Sequence, residues 1–412
     1  MGNMSESGLL PRYLADALER ALKVMPIAVV TGARQTGKST LVHQPPFKEN
    51  RTYYTLDDFD VLDQAERTPD QLAARAAPIT IDEVQRAPQV LLAIKRIVDE
   101  ARVAGQFLLT GSANLLLMKN VGETLAGRAV YLNLWPLTRR EQLGLGRAGL
   151  WSELLDSSPK TWRDLLLSNS SPTEPWVPLA LRGGYPGPAH DLEHTDDRRL
   201  WFDGYASTYL ERDVPRLSAI EGITHLRRLM AALCLRVGKV LNQTDLARDV
   251  GLAPSTVQRY LDLLEMSFQL VRLPAYSVNR TKRLVKSPKL YWSDTGLCLY
   301  LAGETEPRGE HLENIVVCDL LAWAAARVDR TNLLYWRTSK GAEVDLVIET
   351  GRRLLPIEVK AASSVRPTDA RHLHVFLDEY PDMADAGIVL YDGPETFWLT
   401  ERVIATPWWR LV

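Results

Sequence analysis

The sequence predicts an α/β protein whose N-terminal part is a doubly wound parallel sheet built around a phosphate-binding loop. Three observations predict this fold class. Gly32–Ser39 (GARQTGKS) matches the pattern G-x-x-x-x-G-K-[ST] at every position. Short apolar runs alternate with helical stretches over residues 1–145. Residues 225–290 then show a helix-turn-helix pattern and residues 291–412 a second α/β pattern, so we expect four regions, with 146–224 as a helical lid or linker.

Composition limits the class of protein. The chain has 412 residues and a formal net charge of −2, so any nucleic-acid site must be a local patch. Its three cysteines, Cys234, Cys298 and Cys318, are far apart, which argues against a zinc site or a disulfide framework. We find no apolar run of about 18 residues and no apolar leader segment, so we expect a cytoplasmic protein without a membrane partner.

The phosphate-binding loop has the context that its chemistry needs. Ile27–Val30 is an apolar run typical of a buried parallel strand, and a helix is expected to begin at Ser39. The turn at this junction points backbone N–H groups at phosphates, and the helix N-terminus adds its positive dipole end. Lys38 is expected to reach the β- and γ-phosphates, and the Ser39 hydroxyl to ligate Mg²⁺. The predicted nucleotide contacts are Gly32, Ala33, Arg34, Gln35, Thr36, Gly37, Lys38, Ser39 and Thr40.

Two further apolar runs end in residues suited to the same site. Pro78–Ile81 precedes Asp82, which suits the outer shell of Mg²⁺, and Glu83, which suits orienting or deprotonating the attacking water. The alternative is an ordinary acidic helix start. A second run, Gln106–Asn114, ends in small polar residues that either contact the γ-phosphate and its water or belong to simple turn chemistry. These residues are Thr110, Ser112 and Asn114.

These stretches, together with YYTLDD at 53–58 and ETLAGRAVYLNLWPLTRREQ at 123–142, resemble the bacterial and archaeal AAA ATPases of the AAA_14/DUF4143 architecture. The resemblance covers nearly the whole chain and implies ATP hydrolysis and oligomers. It implies that Arg128 is an arginine finger, acting in cis or from a neighbouring subunit; the alternative is a surface or salt-bridged arginine. Arg182 and Arg212 lie in stretches that the family also shows, where they either sense nucleotide from a lid or are solvated.

The helix-turn-helix pattern begins near His225. One helical stretch is followed by a short helix that ends at Gly251 and by a second helix that starts at Pro254. That second helix is expected to present Ser255, Thr256, Gln258 and Arg259 to DNA. The segment from Arg272 to Lys289 carries six basic residues and no acidic one, among them Arg280, Lys282 and Arg283, and is expected to form a wing on the phosphates. The alternatives are a solvated hairpin or packing against another domain.

Two spaced carboxylates and a lysine stand out in the C-terminal region. Gly341–Ile348 and Leu354–Lys360 are predicted strands joined by a turn near Gly351. Glu358 and Lys360 share one face, and Asp345 approaches it from the partner strand. Carboxylates so placed can hold Mg²⁺ or Mn²⁺ for phosphodiester hydrolysis, with Lys360 positioning the water or stabilising charge.

This spacing resembles the PD-(D/E)xK nuclease superfamily, and Glu313 matches the additional acidic residue on the first core helix of that superfamily. Three interpretations of the C-terminal region stay open: an active nuclease, a nuclease fold retained for binding without cleavage, and an exposed charged hairpin. The sequence therefore supports two hypotheses for the whole chain. The first is an AAA-like ATPase that binds DNA and cleaves it with its C-terminal domain. The second is a non-cleaving nucleotide switch whose C-terminal domain binds a protein partner.

Overall fold

The computed structural model describes residues 9–74, 78–112, 125–210 and 222–412, without the side chains of residues 282, 284 and 285. The expectations for Asn114, Arg212 and the Lys282 side chain therefore lie outside the described part of the chain. Within the described ranges, no helix has both the length and the apolar character needed to cross a bilayer.

The N-terminal region is a five-stranded sheet in the order β2-β3-β4-β1-β5, and every pairing in it is parallel. Its strands are β1 (Ile27–Gly32), β2 (Thr52–Thr55), β3 (Ile79–Asp82), β4 (Phe107–Ser112) and β5 (Ala129–Asn133). Its helices are α1 (Leu14–Val24), α2 (Lys38–Val42), α3 (Phe59–Arg67), α4 (Pro69–Ala73) and α5 (Val90–Glu100). Alternate residues of β1 enter two separate apolar clusters, one on each face of the sheet, so the predicted doubly wound α/β sheet is confirmed.

The middle region is helical. Its helices are α6 (Arg139–Gln142), α7 (Trp151–Asp156), α8 (Pro159–Ser168), α9 (Trp176–Arg182), α10 (Thr195–Thr208), α11 (Ile223–Cys234), α12 (Gln243–Val250) and α13 (Pro254–Met266). Within the predicted lid or linker, Ser158 is the residue before α8 and Pro159 its first residue. Proline is favoured at the first turn of a helix because its missing N–H needs no partner there. Helices α11 to α13 lie in the order that the helix-turn-helix pattern predicts.

The segment expected to be a basic hairpin has a different form. Strands β6 (Leu270–Leu273) and β7 (Lys289–Trp292) pair in an antiparallel manner, but helix α14 (Arg280–Val285) lies between them. Two backbone hydrogen bonds of Leu290 join the other edge of β7 to the segment after α11, from Leu290 N to Lys239 O at 3.0 Å and from Gly238 N to Leu290 O at 2.8 Å. The strand is therefore fixed between β6 and this segment.

The C-terminal region is a six-stranded mixed sheet in the order β12-β13-β11-β10-β9-β8. Its elements are α15 (Thr295–Ala302), α16 (Gly309–Ala325), β8 (Thr331–Arg337), β9 (Glu343–Thr350), β10 (Arg353–Lys360), α17 (Arg371–Glu379), β11 (Gly387–Tyr391), β12 (Phe397–Thr400) and β13 (Val403–Pro407). Strands β9 and β10 form the predicted hairpin, and Gly351 adopts a φ of 57° in its turn. A large apolar core joins one face of this sheet to the middle region, and a smaller one lies under α17.

Candidate nucleotide site and C-terminal acidic cluster

The phosphate-binding loop lies between β1 and α2. Gly32 has a φ of 152°, and a Cβ there would come within 2.3 Å of the Leu134 carbonyl oxygen, so only glycine fits. Gly37 has a φ of 90°, which also favours glycine. Lys38 is only 5% exposed, and its ammonium donates to the carbonyl oxygens of Gly32 at 3.3 Å and Ala33 at 2.7 Å. The loop therefore has the backbone of a phosphate cradle.

Arg12 supports this loop from outside, a contact that the sequence did not reveal. Its guanidinium donates to the Thr36 carbonyl oxygen at 2.7 Å and to the Glu141 carboxylate at 3.1 Å. Glu141 also accepts the backbone N–H of Tyr13 at 2.7 Å, and both members of the ion pair are buried. Nothing in the local pattern distinguishes Arg12 from an ordinary arginine at a helix start.

Asp82 ends β3 directly beside the start of α2. Its carboxylate accepts hydrogen bonds from the hydroxyls of Ser39 at 2.9 Å, Tyr53 at 2.9 Å and Thr110. Burial, followed by the nearby Asp82, raises the pKa of Tyr53, so this phenol stays a neutral donor. Ser39 and Asp82, the two predicted Mg²⁺ residues, are thus in contact, and their oxygen donors fit a hard divalent cation.

Glu83 follows in the left-handed region with a φ of 57°. Two residues from β4 hold it: the Thr110 hydroxyl accepts the Glu83 backbone N–H at 3.1 Å, and Ser112 acts through Gln85. The Gln85 amide donates to the Glu83 carboxylate and to the Ser112 hydroxyl, the latter at 3.3 Å. Thr110 and Ser112 therefore support the two acidic residues. Gln85 was missed, and its only sequence signal is its position two residues after Glu83.

A cleft of about 730 Å³ opens above these residues. The phosphate-binding loop and Glu83 form one wall, and helix α10 with the turn before it forms the other. Trp201 and Tyr205 on α10 line that wall and stack with ring centroids 5.3 Å apart. Such a volume and such a mixed lining are typical of small-molecule sites. No sequence motif marked α10 as a wall of this cleft.

The structure does not bring Arg128 to the phosphate-binding loop. Arg128 immediately precedes β5, and its carbonyl oxygen accepts the backbone N–H of Ile27 at the start of β1. The loop follows the other end of β1, roughly 20 Å away at about 3.3 Å per residue. The Arg128 guanidinium is paired with Asp99 at 2.5 Å, and this hydrogen bond raises the pKa of Arg128. The cis form of the arginine-finger expectation therefore has no geometric support.

Arg182 is likewise engaged away from the cleft. It forms an ion pair with Glu174 at 2.5 Å and donates to the Gln142 side chain at 2.7 Å. Its expected role as a nucleotide sensor is not supported by these contacts.

The residues predicted to contact DNA are only partly free. On α13, Ser255 and Arg259 are exposed, Thr256 is half-buried and Gln258 donates to Asp262 at 2.8 Å. The basic segment is largely neutralised, because Arg272 pairs with Asp262 and Glu265, Arg283 forms a two-point bond with Glu349 at 2.6 and 2.8 Å, and Lys289 is buried. Arg280 is exposed. Three of the six basic residues, Arg272, Arg283 and Lys289, are therefore engaged within the protein, and a wing that contacts phosphates stays a prediction.

The C-terminal carboxylates do meet. Asp345 on β9 accepts the backbone N–H of Val359 on β10 at 3.1 Å, beside Glu358. Lys360 donates to Glu358 at 2.6 Å, and Glu313 approaches from α16. The predicted set of two strand carboxylates, one helix carboxylate and one lysine is therefore assembled in space.

A second lysine lies inside this set. The ammonium of Lys289, on β7, is 2.8 Å from Glu313, 2.9 Å from Glu343 and 3.0 Å from Asp345. Burial alone would lower the pKa of Lys289, but Tyr291 and the three carboxylates raise it instead. Burial, followed by repulsion from Asp345, raises the pKa of Glu313 to about 7 and that of Glu358 to about 8.

These residues do not fit a divalent metal as they are arranged. The oxygens of Glu313, Glu343 and Asp345 converge on the Lys289 ammonium, and Glu358 is paired with Lys360. Within the ranges that the structure covers, no group of three or more histidine, cysteine, aspartate or glutamate side chains is disposed to hold a metal ion. The metal expected at Glu313, Asp345 and Glu358 therefore has no support in this geometry.

Family models match three consecutive parts of the chain. An AAA domain, AAA_14, matches residues 25–143; a domain of unknown function, DUF8612, matches 173–308; and a second one, DUF4143, matches 308–411. The AAA match spans the five-stranded sheet and the cleft residues on it, in agreement with the resemblance inferred from the motifs.

Two solved structures that resemble the chain share little identity with it. The Walker-type ATPase PABY2304 of Pyrococcus abyssi is 14% identical, covers 73% of this chain and 98% of its own, and has a TM-score of 0.45. A RuvB variant of Thermotoga maritima is 17% identical, covers 66% and 93%, and has a TM-score of 0.28. Scores this low support no conclusion about function.

Sequence relatives are closer. Uncharacterized proteins of Mycobacterium tuberculosis and Mycobacterium bovis are each 32% identical over 406 residues, which is 96% of this chain and 83% of each relative. An uncharacterized protein of Haemophilus influenzae is 24% identical over 319 residues, 72% of this chain and 74% of the relative. The chain therefore belongs to the family of these mycobacterial proteins, as a member with an AAA-type ATPase domain followed by a DUF4143 domain.

Proposed function

We propose that the chain binds ATP with Mg²⁺ in the cleft above the phosphate-binding loop and hydrolyses it to ADP and phosphate. The observation that carries this proposal is the contact of Ser39 with Asp82 beside Lys38. Ser39 and Asp82 would hold Mg²⁺, directly or through water, and the metal would neutralise charge on the phosphates. Lys38 binds the β- and γ-phosphates, and Glu83 orients the attacking water.

We further propose that nucleotide state is transmitted to the C-terminal half. The loop Arg182–Pro186 leads into the cleft wall, and Asp294 accepts its backbone N–H groups from Gly184 at 2.6 Å and Tyr185 at 3.1 Å. Asp294 is buried and also caps α15 through Leu297 N. If nucleotide binding displaces the cleft wall, Asp294 would therefore transmit the displacement to the start of α15. This route supports the coupling that the nucleotide-switch hypothesis requires; the protein partner at the C-terminal domain is a further part of that hypothesis.

The test is ATP turnover by the purified chain and by Lys38→Ala. We expect turnover in the wild type and a loss of at least about 100-fold in the variant, because the charge on the transferred phosphoryl group is no longer neutralised. The matched control is Lys48→Ala, at an exposed lysine beyond α2, which should behave like the wild type. Wild-type turnover in Lys38→Ala would refute the site.

A second candidate function is action on DNA. Exposed Ser255, Arg259 and Arg280 support binding. Cleavage would have to use Asp345, Glu358 and Lys360 on adjacent strands, where the described residues offer no metal site. Salt dependence tests the binding part, because phosphate contacts make affinity fall steeply with salt. Arg280→Ala should reduce both DNA affinity and its salt slope, whereas Arg283→Ala should leave the slope unchanged because Arg283 is already paired. DNA cleavage with Mg²⁺ or Mn²⁺, lost in Lys360→Ala, would establish the nuclease.

The organisation that accompanies this proposal has four parts, an ATPase core at 1–145, a lid region at 146–224, a winged helix-turn-helix at 225–290 and a PD-(D/E)xK-like domain at 291–412. Arg128, which is remote from the loop of its own chain, would act as a finger only from a neighbouring subunit, so it requires a homo-oligomer. Turnover that rises with protein concentration, and does so less in Arg128→Ala, would support that arrangement.

A further inference from the structure

The acidic cluster contains a cation that the chain itself supplies. Lys289 is 2% exposed and contacts carboxylates from α16 and β9 at distances of 2.8 to 3.0 Å. None of these contacts follows from the spacing of Asp345, Glu358 and Lys360 along the sequence, because Lys289 lies on a different sheet. Tyr291, two residues further along β7, donates to the same Glu313 carboxylate.

We propose that Lys289 occupies the position that a divalent metal would take, so that the cluster is an ion-pair lock between the middle region and the C-terminal sheet instead of a metal centre. This inference does not depend on ATP hydrolysis. With Lys289 in this position, the C-terminal domain has the nuclease-like arrangement of strands but does not cleave nucleic acid.

The position of Lys289 is fixed by its backbone. Strand β7 pairs with β6 on one side and with residues 238–240 on the other, and its next three residues, Leu290, Tyr291 and Trp292, are at most 1% exposed. The lysine cannot withdraw by moving its strand without opening this core. Gly238 also closes the cluster from above, because a Cβ at that position would be 3.3 Å from the Glu313 carboxylate.

Charge balance points the same way. The cluster contains four carboxylates and three cations. The cations are Lys289, Lys360 and Arg337, and Arg337 is 3.6 Å from Glu343. The carboxylates are those of Glu313, Glu343, Asp345 and Glu358. A divalent cation entering this nearly neutral cluster would meet an ammonium at contact distance, which is strongly unfavourable in a buried site.

The lock joins two matched regions. Lys289 lies in the part matched by DUF8612, and its carboxylate partners lie in the part matched by DUF4143. Removing the ammonium would leave buried carboxylates without their partner, and breaking a buried pair on one side is strongly destabilising. Lys289 therefore adds an ion-pair contact to the apolar core that joins the middle region to the C-terminal sheet.

The first experiment measures Mn²⁺ binding by electron paramagnetic resonance in an Asp82→Asn background, which silences the nucleotide site. With Lys289 intact we expect no bound Mn²⁺ at millimolar concentration. Lys289→Met in the same background should gain a Mn²⁺ site, and adding Asp345→Asn should remove it. The proposal would be overturned if the Asp82→Asn protein with Lys289 intact bound Mn²⁺ and lost it on Asp345→Asn. This comparison does not require any Lys289 variant to fold.

The second experiment measures thermal unfolding without metal. We expect Lys289→Met to lower the midpoint by at least about 5 °C, because buried carboxylates lose their counter-ion. Lys286→Met, at an exposed lysine three residues earlier, is the matched control and should leave the midpoint unchanged. A Lys289→Met midpoint equal to that of the wild type would overturn the lock, and so would failure of Mn²⁺ to raise the midpoint of that variant.

Discussion

The nucleotide site and the C-terminal cluster each contain strand carboxylates suited to bind a metal, but the groups that contact these carboxylates differ. Asp82 accepts hydrogen bonds from the hydroxyls of Ser39, Tyr53 and Thr110, which are neutral groups that a metal can displace or share. Asp345 contacts the ammonium of Lys289, a charge that excludes a metal. A carboxylate at the right spacing therefore predicts a metal site only when its other neighbours leave room for the ion.

The two sites also differ in their exposure to solvent. The nucleotide site opens into a cleft of about 730 Å³, whereas Lys289 is sealed from solvent. An open polar site can exchange ligands, and a closed ion cluster fixes one arrangement of its elements. We infer that chemistry takes place at the first and that the second holds two regions together.

Replacing one aspartate in each region should have opposite effects, and this is the largest contrast that we expect. Asp82→Asn should reduce ATP turnover at least about 100-fold, because the metal loses a charged partner. Asp345→Asn should leave turnover within about twofold and lower the thermal midpoint instead. Steady-state kinetics and calorimetry on both variants measure the contrast. Comparable loss of turnover in both would break the distinction between the two sites.

A smaller effect is expected from Gln85, which holds Glu83 through its amide. Gln85→Ala should lower kcat about 10- to 100-fold and leave the KM for ATP nearly unchanged, because a misoriented carboxylate slows the chemical step. Gln71→Ala, at an exposed glutamine on α4, serves as the control. In a Glu83→Gln background the same substitution should have no further effect on kcat. A raised KM with unchanged kcat would instead indicate a structural role.

The smallest effect concerns Asp319, a buried carboxyl that accepts hydrogen bonds from neutral groups, Trp151 Nε1 at 2.7 Å and the Tyr13 hydroxyl at 3.4 Å. Burial raises the pKa of Asp319 to about 7. The folded state therefore holds this proton more tightly than the unfolded state, and stability present at low pH is lost as the pH rises from about 4 through 7.

Asp319→Asn removes this titration. The thermal midpoint of the variant, relative to that of the wild type, should therefore increase by a few degrees between pH 5 and pH 8. Melting curves at both pH values, with the exposed Asp329→Asn as the control, measure the change. An offset that is the same at both pH values would show that Asp319 is not the group that titrates.

Local patterns predicted the geometry of the phosphate-binding loop, for a physical reason. Strand β1, the loop and α2 are contiguous, so the motif contains nearly all of the geometry of the cradle. Asp82 and Glu83 were also identifiable, because parallel strands end at one edge of a sheet. Gln85 and Arg12 were missed because their roles depend on contacts with β4 and with Thr36 that no spacing encodes.

The errors have the same origin. Arg128 was expected near the phosphates. However, it precedes β5, which runs parallel to β1, so Arg128 lies at the start of these strands and the phosphate-binding loop at their end. The six basic residues of 272–289 were counted without their partners, and Glu349, Asp262 and Glu265 come from other elements. The sequence of the C-terminal hairpin predicted its strands, its turn and the meeting of Asp345 with Glu358. It could not predict Lys289, which arrives from another sheet.

The most direct test of this account is the number of Mn²⁺ ions bound per chain in the presence of a non-hydrolysable ATP analogue. We predict one ion per chain, lost when Ser39 or Asp82 is replaced and retained in Asp345→Asn. The reason is that Ser39 and Asp82 contact each other through oxygen atoms, whereas Asp345 contacts the ammonium of Lys289. Two ions per chain, or one ion that survives Asp82→Asn and is lost in Asp345→Asn, would contradict the account.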